Sequence, residues 1–233
     1  MTDIARNIQE IRERISRAAS ASNRPSEAIT LLAITKTFPA EIITEAIAAG
    51  LSQFGENRVQ EAEAKIAHFQ ETPSLKWHLV GHLQSNKASS AARLFDIVHS
   101  VDSIRIAEKL DQAARETAKV LPVLLQVKLE EEETKSGAHA EEIRSIIASM
   151  AEFSALRLDG LMTIPPYSEN PEEARPYFIR LRELSESLES EQAGCLGRRH
   201  LSMGMSDDFE IAIQEGATIV RIGTALFGDR SSR

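Results

Sequence analysis

Eight short apolar stretches alternate with seven stretches of helical spacing along this 233-residue chain. That alternation restricts the fold more than any single motif does. The apolar stretches lie at 31–34, 52–55, 77–80, 96–101, 122–129, 156–164, 200–203 and 217–222. Helical patterns follow at 39–50, 59–69, 85–94, 103–119, 140–153, 171–191 and 207–215. Strands joined by helical crossovers run parallel and are buried on both faces. A closed (β/α)₈ barrel takes roughly 250 residues, so closure uses this length economically. An open doubly wound sheet is the alternative, but it usually carries a glycine fingerprint after its first strand. Here that position reads Thr35-Lys36-Thr37-Phe38-Pro39. The expected architecture is α/β: one domain over residues 1–233, with a TIM barrel at 31–228 and an extra N-terminal helix at 1–22.

That first helix is read from Ile4, Ile8, Ile11 and Ile15, which recur among Arg6, Glu10, Arg12, Glu13 and Arg14. It is a surface helix with one apolar stripe rather than a signal peptide. No apolar run approaches the 18 or so residues of a membrane span, so no membrane partner is expected. A formal charge of −8 argues against nucleic acid, whose phosphates need a basic face. Cys195 is the single cysteine, which excludes an intrachain disulfide framework and points to a reducing cytoplasm.

Barrel active sites lie at the C-terminal ends of the strands, and phosphate is often held after strands seven and eight. The unusual residues fall on that rim. Lys36 closes strand one, and burial there would disfavour its ammonium form and expose a nucleophilic amine. Asn57 follows strand two, His82 strand three, and Ser100 lies near the end of strand four. Ser202-Met203-Gly204-Met205-Ser206 follows strand seven, and Gly223-Thr224 closes strand eight. Gly204 and Gly223 allow close backbone approach, Ser206 and Thr224 offer hydroxyls, and a helix starting near Asp207 would aim its positive end at an anion. Arg221 interrupts the apolar run Thr218-Ile219-Val220-Arg221-Ile222. A buried guanidinium stays charged and needs an acceptor, either a carboxylate on a neighbouring strand or a ligand atom. His78 and His82 are four apart, but they fall on a strand and a turn, which is poor geometry for a metal pair. Glu130 to Glu133 reads as a solvated loop.

Several segments in order resemble the pyridoxal phosphate homeostasis protein family: Ala33-Ile34-Thr35-Lys36-Thr37, Phe54 to Glu61, Trp77 to Lys87, Gly160 to Pro166, Leu201 to Asp208, and Val220 to Thr224. The resemblance runs from about residue 5 to 228. It implies a barrel like that of alanine racemase (fold-type III) that holds pyridoxal 5'-phosphate as a Schiff base on Lys36. It further implies that Arg221 faces the pyridine nitrogen, that Ser206, Gly223 and Thr224 bind phosphate with Gly204 shaping the loop, and that Asn57, His82 and Met162 line the pocket. Ser202, in the same loop, is a further candidate cofactor-binding residue. Lys135 also matches the family pattern. Phe38 and Lys128 depart from it, standing where many members have a second lysine and an asparagine.

An arginine opposite the ring nitrogen leaves that nitrogen unprotonated and the ring a weak electron sink. A racemase compensates with a second base on the opposite face, and no residue of this sequence has an evident claim to that role. The expectation is therefore a binder that stores, buffers or delivers the cofactor, monomeric, with apo-enzymes as recipients and without efficient amino-acid turnover. The alternatives are a racemase or decarboxylase completed by a partner, and a lysine aldolase that uses no cofactor.

Overall fold

The computed structural model describes residues 3–129 and 136–228. Eight parallel strands form the barrel: β1 Thr30–Ile34, β2 Gln53–Glu56, β3 Lys76–Leu79, β4 Ile97–Val101, β5 Leu121–Lys128, β6 Leu156–Met162, β7 His200–Ser202 and β8 Ile219–Ile222. Each pairs with the next in sequence, β4 with β5 among them, and β1 closes the ring against β8 through pairs such as Leu32 with Arg221. The closed TIM barrel is therefore the fold, and the open sheet is excluded.

Helices return the chain between strands: α1 Ile4–Ala21 before the barrel, then α2 Ala40–Ala48, α3 Val59–His68, α4 Ala88–Leu94, α5 Ile104–Glu116, α6 Ala140–Met150, α7 Arg175–Glu191, α8 Phe209–Gln214 and α9 Thr224–Phe227. The isoleucine stripe of α1 is buried and packs on α8 and α9. Arg14 stacks 4.5 Å over the Phe209 ring and pairs with Glu210, while the Asn7 amide donates to the Leu226 carbonyl at 2.9 Å. With α9 only four residues long, α1 covers the side of the barrel that a full last helix would cover.

Two apolar layers result. The larger lies between strands and helices. The smaller fills the barrel with Leu32, Ile34, Val80, Leu124, Met162 and Ile219, as period-two alternation requires. Alternation then points Arg221, two residues beyond Ile219, inward as well.

Local differences from the sequence reading have local causes. The turns at Ser85–Lys87 and Pro171–Ala174 are 3₁₀, so α4 and α7 start later than periodicity suggested. α8 starts at Phe209 rather than near Asp207, because the Asp208 carboxylate turns back to accept from the Met205 N–H. A two-residue strand, Ala138–His139, pairs with the end of β5. The acidic segment at 130–133 and Lys135 lie outside the described residues.

Candidate functional site

Lys36 stands two residues past β1 in a turn, half-buried. The residues around it are firmly held. Thr35 is fully buried; its hydroxyl donates to Glu56 Oε1 at 2.6 Å, and its carbonyl accepts from Lys65 Nζ at 2.7 Å. Lys65 also pairs with Glu56 at 2.7 Å. On the other side, Thr37 adopts a left-handed φ of 68° and donates its N–H to Glu61 at 3.3 Å. For a β-branched residue that conformation is strained, and it turns the chain sharply into α2.

Glu56 was not foreseen as buried. Its carboxylate is inaccessible, and burial raises its pKa against the opposing pull of Lys65 and Thr35. The available signal was a lone carboxylate inside the strand pattern Phe54-Gly55-Glu56, with a lysine on the helix that follows.

Arg221 is 4% exposed. Its Nη1 donates to the Ser202 carbonyl at 2.6 Å and the Ser202 hydroxyl at 2.9 Å, and its Nη2 donates to the Thr163 carbonyl at 2.8 Å. No carboxylate pairs with it among the described residues, although the Asp208 charge acts on it from a distance. Burial outweighs that help and lowers its pKa to about 10, so it stays charged at neutral pH. Three of its five N–H donors are used in this way. The other two have no partner among the described residues.

Lys36 and Arg221 open on one cavity of about 230 Å³. Asn57, Ser206, Gly223 and Thr224 share its wall, with Phe38, Ile34, Val80 and Ile164 as apolar surface. These residues come from the C-terminal ends of β1, β2, β3, β6, β7 and β8, as the barrel rule requires. The Ser206 hydroxyl accepts from the Ala225 N–H at 3.3 Å, which joins the last two loops. Asn57 reaches its place because Gly81 has no side chain: a Cβ there would lie 2.2 Å from the Asn57 carbonyl oxygen.

Four other candidates are not on that wall. Met162 is fully buried in the inner layer with Ile34 and Val80, so it supports the floor. Ser202 is buried behind Arg221 as its acceptor. Gly204 contributes its carbonyl, which accepts from the Arg221 N–H at 2.9 Å. Its φ is +90°, and a Cβ would lie 2.6 Å from that of Ala212, so no other residue fits this turn without strain. His82 is over half exposed and faces Asp102 at 3.4 Å. His78 spends both ring nitrogens on Gln53 and His99, which leaves none for a metal. Ser100 is buried, its hydroxyl without a partner among the described residues, and Lys128 is buried at the end of β5.

The alanine racemase N-terminal domain family matches residues 3–231. The pyridoxal phosphate homeostasis protein of Escherichia coli (strain K12) is 46% identical, covering 99% of this chain and 98% of that protein. The protein of the same name from Aquifex aeolicus is 43% identical over 96% of each. Among solved structures, PipY of Synechococcus elongatus PCC7942 with PLP bound superposes with TM-score 0.81 at 42% identity, covering 92% of this chain and all of that one. Alanine racemase from Corynebacterium glutamicum gives TM-score 0.71 at 16% identity, covering 97% of this chain and 61% of that one; that likeness concerns the fold alone.

Proposed function

This chain belongs to the pyridoxal phosphate homeostasis protein family, and from that premise we propose that it binds pyridoxal 5'-phosphate as a Schiff base on Lys36 and serves to store, buffer or deliver it. One observation carries the reading: an amine at Lys36 and a pinned guanidinium at Arg221 open on the same small cavity, with the Ser206 and Thr224 hydroxyls between the loops. At about 230 Å³ the cavity is smaller than the roughly 300–1,000 Å³ of drug-sized sites, a scale that suits one substituted ring.

The residues fit the cofactor. Lys36 supplies the primary amine whose neutral form adds to an aldehyde and loses water to form the imine. Arg221 offers two N–H donors and no acceptor, which matches an unprotonated ring nitrogen. Ser206, Thr224 and the Gly223 backbone form the polar side suited to phosphate, and the exposed Asp207 carboxylate at the rim is screened by water. Phe38 and Ile164 supply apolar walls. Once bound, pyridoxal phosphate provides an electron sink for amino-acid chemistry. Arg221 keeps that sink weak, because a donor of its pKa does not pass a proton to the ring.

Weak activation supports a carrier without efficient turnover, and so does the wall itself, which carries no tyrosine or histidine among the described residues. Apo-enzymes that use the same cofactor are the recipients in this reading, and the carrier acts as a monomer in the cytoplasm.

The test is the absorbance spectrum of the purified protein with pyridoxal phosphate, followed by borohydride reduction and peptide mapping. A visible band, and a reduced adduct on the peptide containing Lys36, are expected. An adduct elsewhere overturns the attachment site. Turnover of enantiopure amino acids at ordinary enzymatic rates, about 1–10³ s⁻¹, overturns the carrier reading.

A further inference from the structure

Behind Arg221 a chain of buried polar groups crosses the barrel interior. The Ser202 hydroxyl lies 2.9 Å from His99 Nδ1, His99 Nε2 lies 2.9 Å from His78 Nδ1, and His78 Nε2 lies 2.8 Å from Gln53 Oε1. Both imidazoles and the serine are at most 1% exposed, whereas Gln53 is half-buried at the first residue of β2. The chain thus runs from the opposite end of the barrel to the guanidinium. None of its members lines the cavity shared by Lys36 and Arg221.

The direction of every hydrogen bond follows from its two ends. A guanidinium only donates, so the Ser202 oxygen accepts from Arg221 and its own proton must go elsewhere. The acceptor within reach is His99 Nδ1. That nitrogen is then bare, and His99 carries its proton on Nε2, donating to His78 Nδ1. By the same logic His78 carries its proton on Nε2 and donates to the Gln53 carbonyl oxygen. Each group is satisfied in this one sense. Reversing it leaves the serine proton without an acceptor within reach, and it also requires the Gln53 amide to turn over and present its N–H₂.

We infer that His99, backed by His78 and Gln53, is a positioning residue for Arg221: it draws the Ser202 proton away from the guanidinium and so fixes a donor-only floor beneath the ligand. Two observations support a polarised chain over inert filling. Burial pushes His78 down to about 4 and His99 well below its ordinary value, so both stay neutral beside the buried charge of Arg221. A continuous polar chain inside an otherwise apolar barrel is also costly unless each member is satisfied, and here each is. An apolar residue at position 99 would fill the space but leave the serine free to turn its proton toward Arg221.

The inference rests on the cofactor reading only for its effect on binding; its geometric part stands without ligand. The test begins with the wild-type apo protein at pH 7, using long-range ¹H–¹⁵N spectra of the histidine rings. His78 and His99 should both be neutral Nε2–H tautomers with bare Nδ1. A cationic ring, or an Nδ1–H tautomer at His99, overturns the relay. Next, retention of pyridoxal phosphate is compared among wild type, Ser202→Ala, His99→Leu and His99→Asn, the last keeping an acceptor at the Nδ1 position. Ser202→Ala and His99→Leu should weaken retention about tenfold and broaden the Arg221 Nε–H signal of the apo protein, while His99→Asn restores both. Wild-type retention and an unchanged Arg221 signal in Ser202→Ala overturn the inference, even if His99→Leu does not fold. Failure of the cofactor reading looks different: no variant, nor the wild type, then forms the visible band, yet the tautomers of the apo protein still decide the relay.

Discussion

The ammonium of Lys65 donates to the carbonyl of Thr35 at 2.7 Å, one residue before Lys36 and on the outer side of β1. The same nitrogen pairs with Glu56 on the neighbouring strand, and Glu56 in turn accepts from the Thr35 hydroxyl. The backbone that presents Lys36 to the cavity is thus anchored to α3 and β2 by one compact ionic cluster. Lys36 itself lies in a turn outside the sheet ladder, so this anchor adds to the last backbone bond before it, from the Thr35 N–H to the Gly55 carbonyl at 3.0 Å.

Replacing Lys65 by Met keeps the aliphatic stem and removes the charge. It leaves a fully buried Glu56 carboxylate without its counterion. Removing one partner of a buried pair costs about 3–5 kcal/mol, and Glu56 can recover part of this by taking up a proton, since burial already favours its neutral form. Urea unfolding should show that loss. The double variant Lys65→Met, Glu56→Gln should recover a substantial part of it; no recovery would mean that Lys65 acts through packing alone.

Lys36→Ala should remove the visible band with pyridoxal phosphate and leave the melting temperature within a few degrees of wild type. Its side chain is half-buried at a cavity wall, and truncation creates no closed void. Circular dichroism and absorbance on the same sample separate the two effects. A retained band would place the amine elsewhere.

Ser206 and Thr224 share the cavity wall but take no part in the imine. Replacing both with Ala should weaken cofactor retention by about tenfold or more, two hydrogen bonds to a charged group being lost. Attachment of pyridoxal, which lacks the phosphate, should be far less affected at saturating concentration. Equal losses for the two aldehydes would remove phosphate from this corner.

Much of this was legible in the sequence because it depends on local rules. Alternation of strand and helix implied a parallel sheet, chain length favoured closing it into a barrel over an open sheet, and the rim rule then gathered Lys36, Asn57, Arg221, Gly223 and Thr224 on one face. The depth of each residue was less legible. Met162 and Ile164 are two apart on the same side of the chain, and a sequence does not say which layer forms the wall and which the floor. His99 was missed for a related reason: in Ile97-Val98-His99-Ser100-Val101 it reads as one polar residue in an apolar strand, and its two partners, His78 and Ser202, come from β3 and β7. Arg221 needed an acceptor by elementary chemistry, yet the structure supplies neutral carbonyls and a hydroxyl where a carboxylate was one of the expected options.

The buried histidines predict how stability varies with pH. His78 titrates at about 4 in the folded chain against 6.5 for its ordinary value, with burial as the leading cause; His99 and His200 are lowered for the same reason. These are depressed folded values of basic groups. Above pH 6.5 neither state is protonated and the full stability is present. As pH falls from 6.5 toward 4, the unfolded chain gains protons that the folded barrel refuses, so stability declines. For His78 alone the decline amounts to about 3 kcal/mol across that window. The carboxylates held low by arginines, Glu191 at about 2 and Glu172 among them, exert the same trend only below the ordinary carboxylate range, whereas Glu56 and Asp208, raised by burial, act in the opposite sense above it, so the difference between wild type and a His78 variant isolates the histidine. Urea unfolding at half-unit steps should show a falling free energy across that interval, and His78→Asn should flatten the slope. Equal slopes for wild type and His78→Asn between pH 5 and 6.5 would mean that His78 takes up its proton inside the folded barrel, and the neutral chain beneath Arg221 would be lost as a description of it.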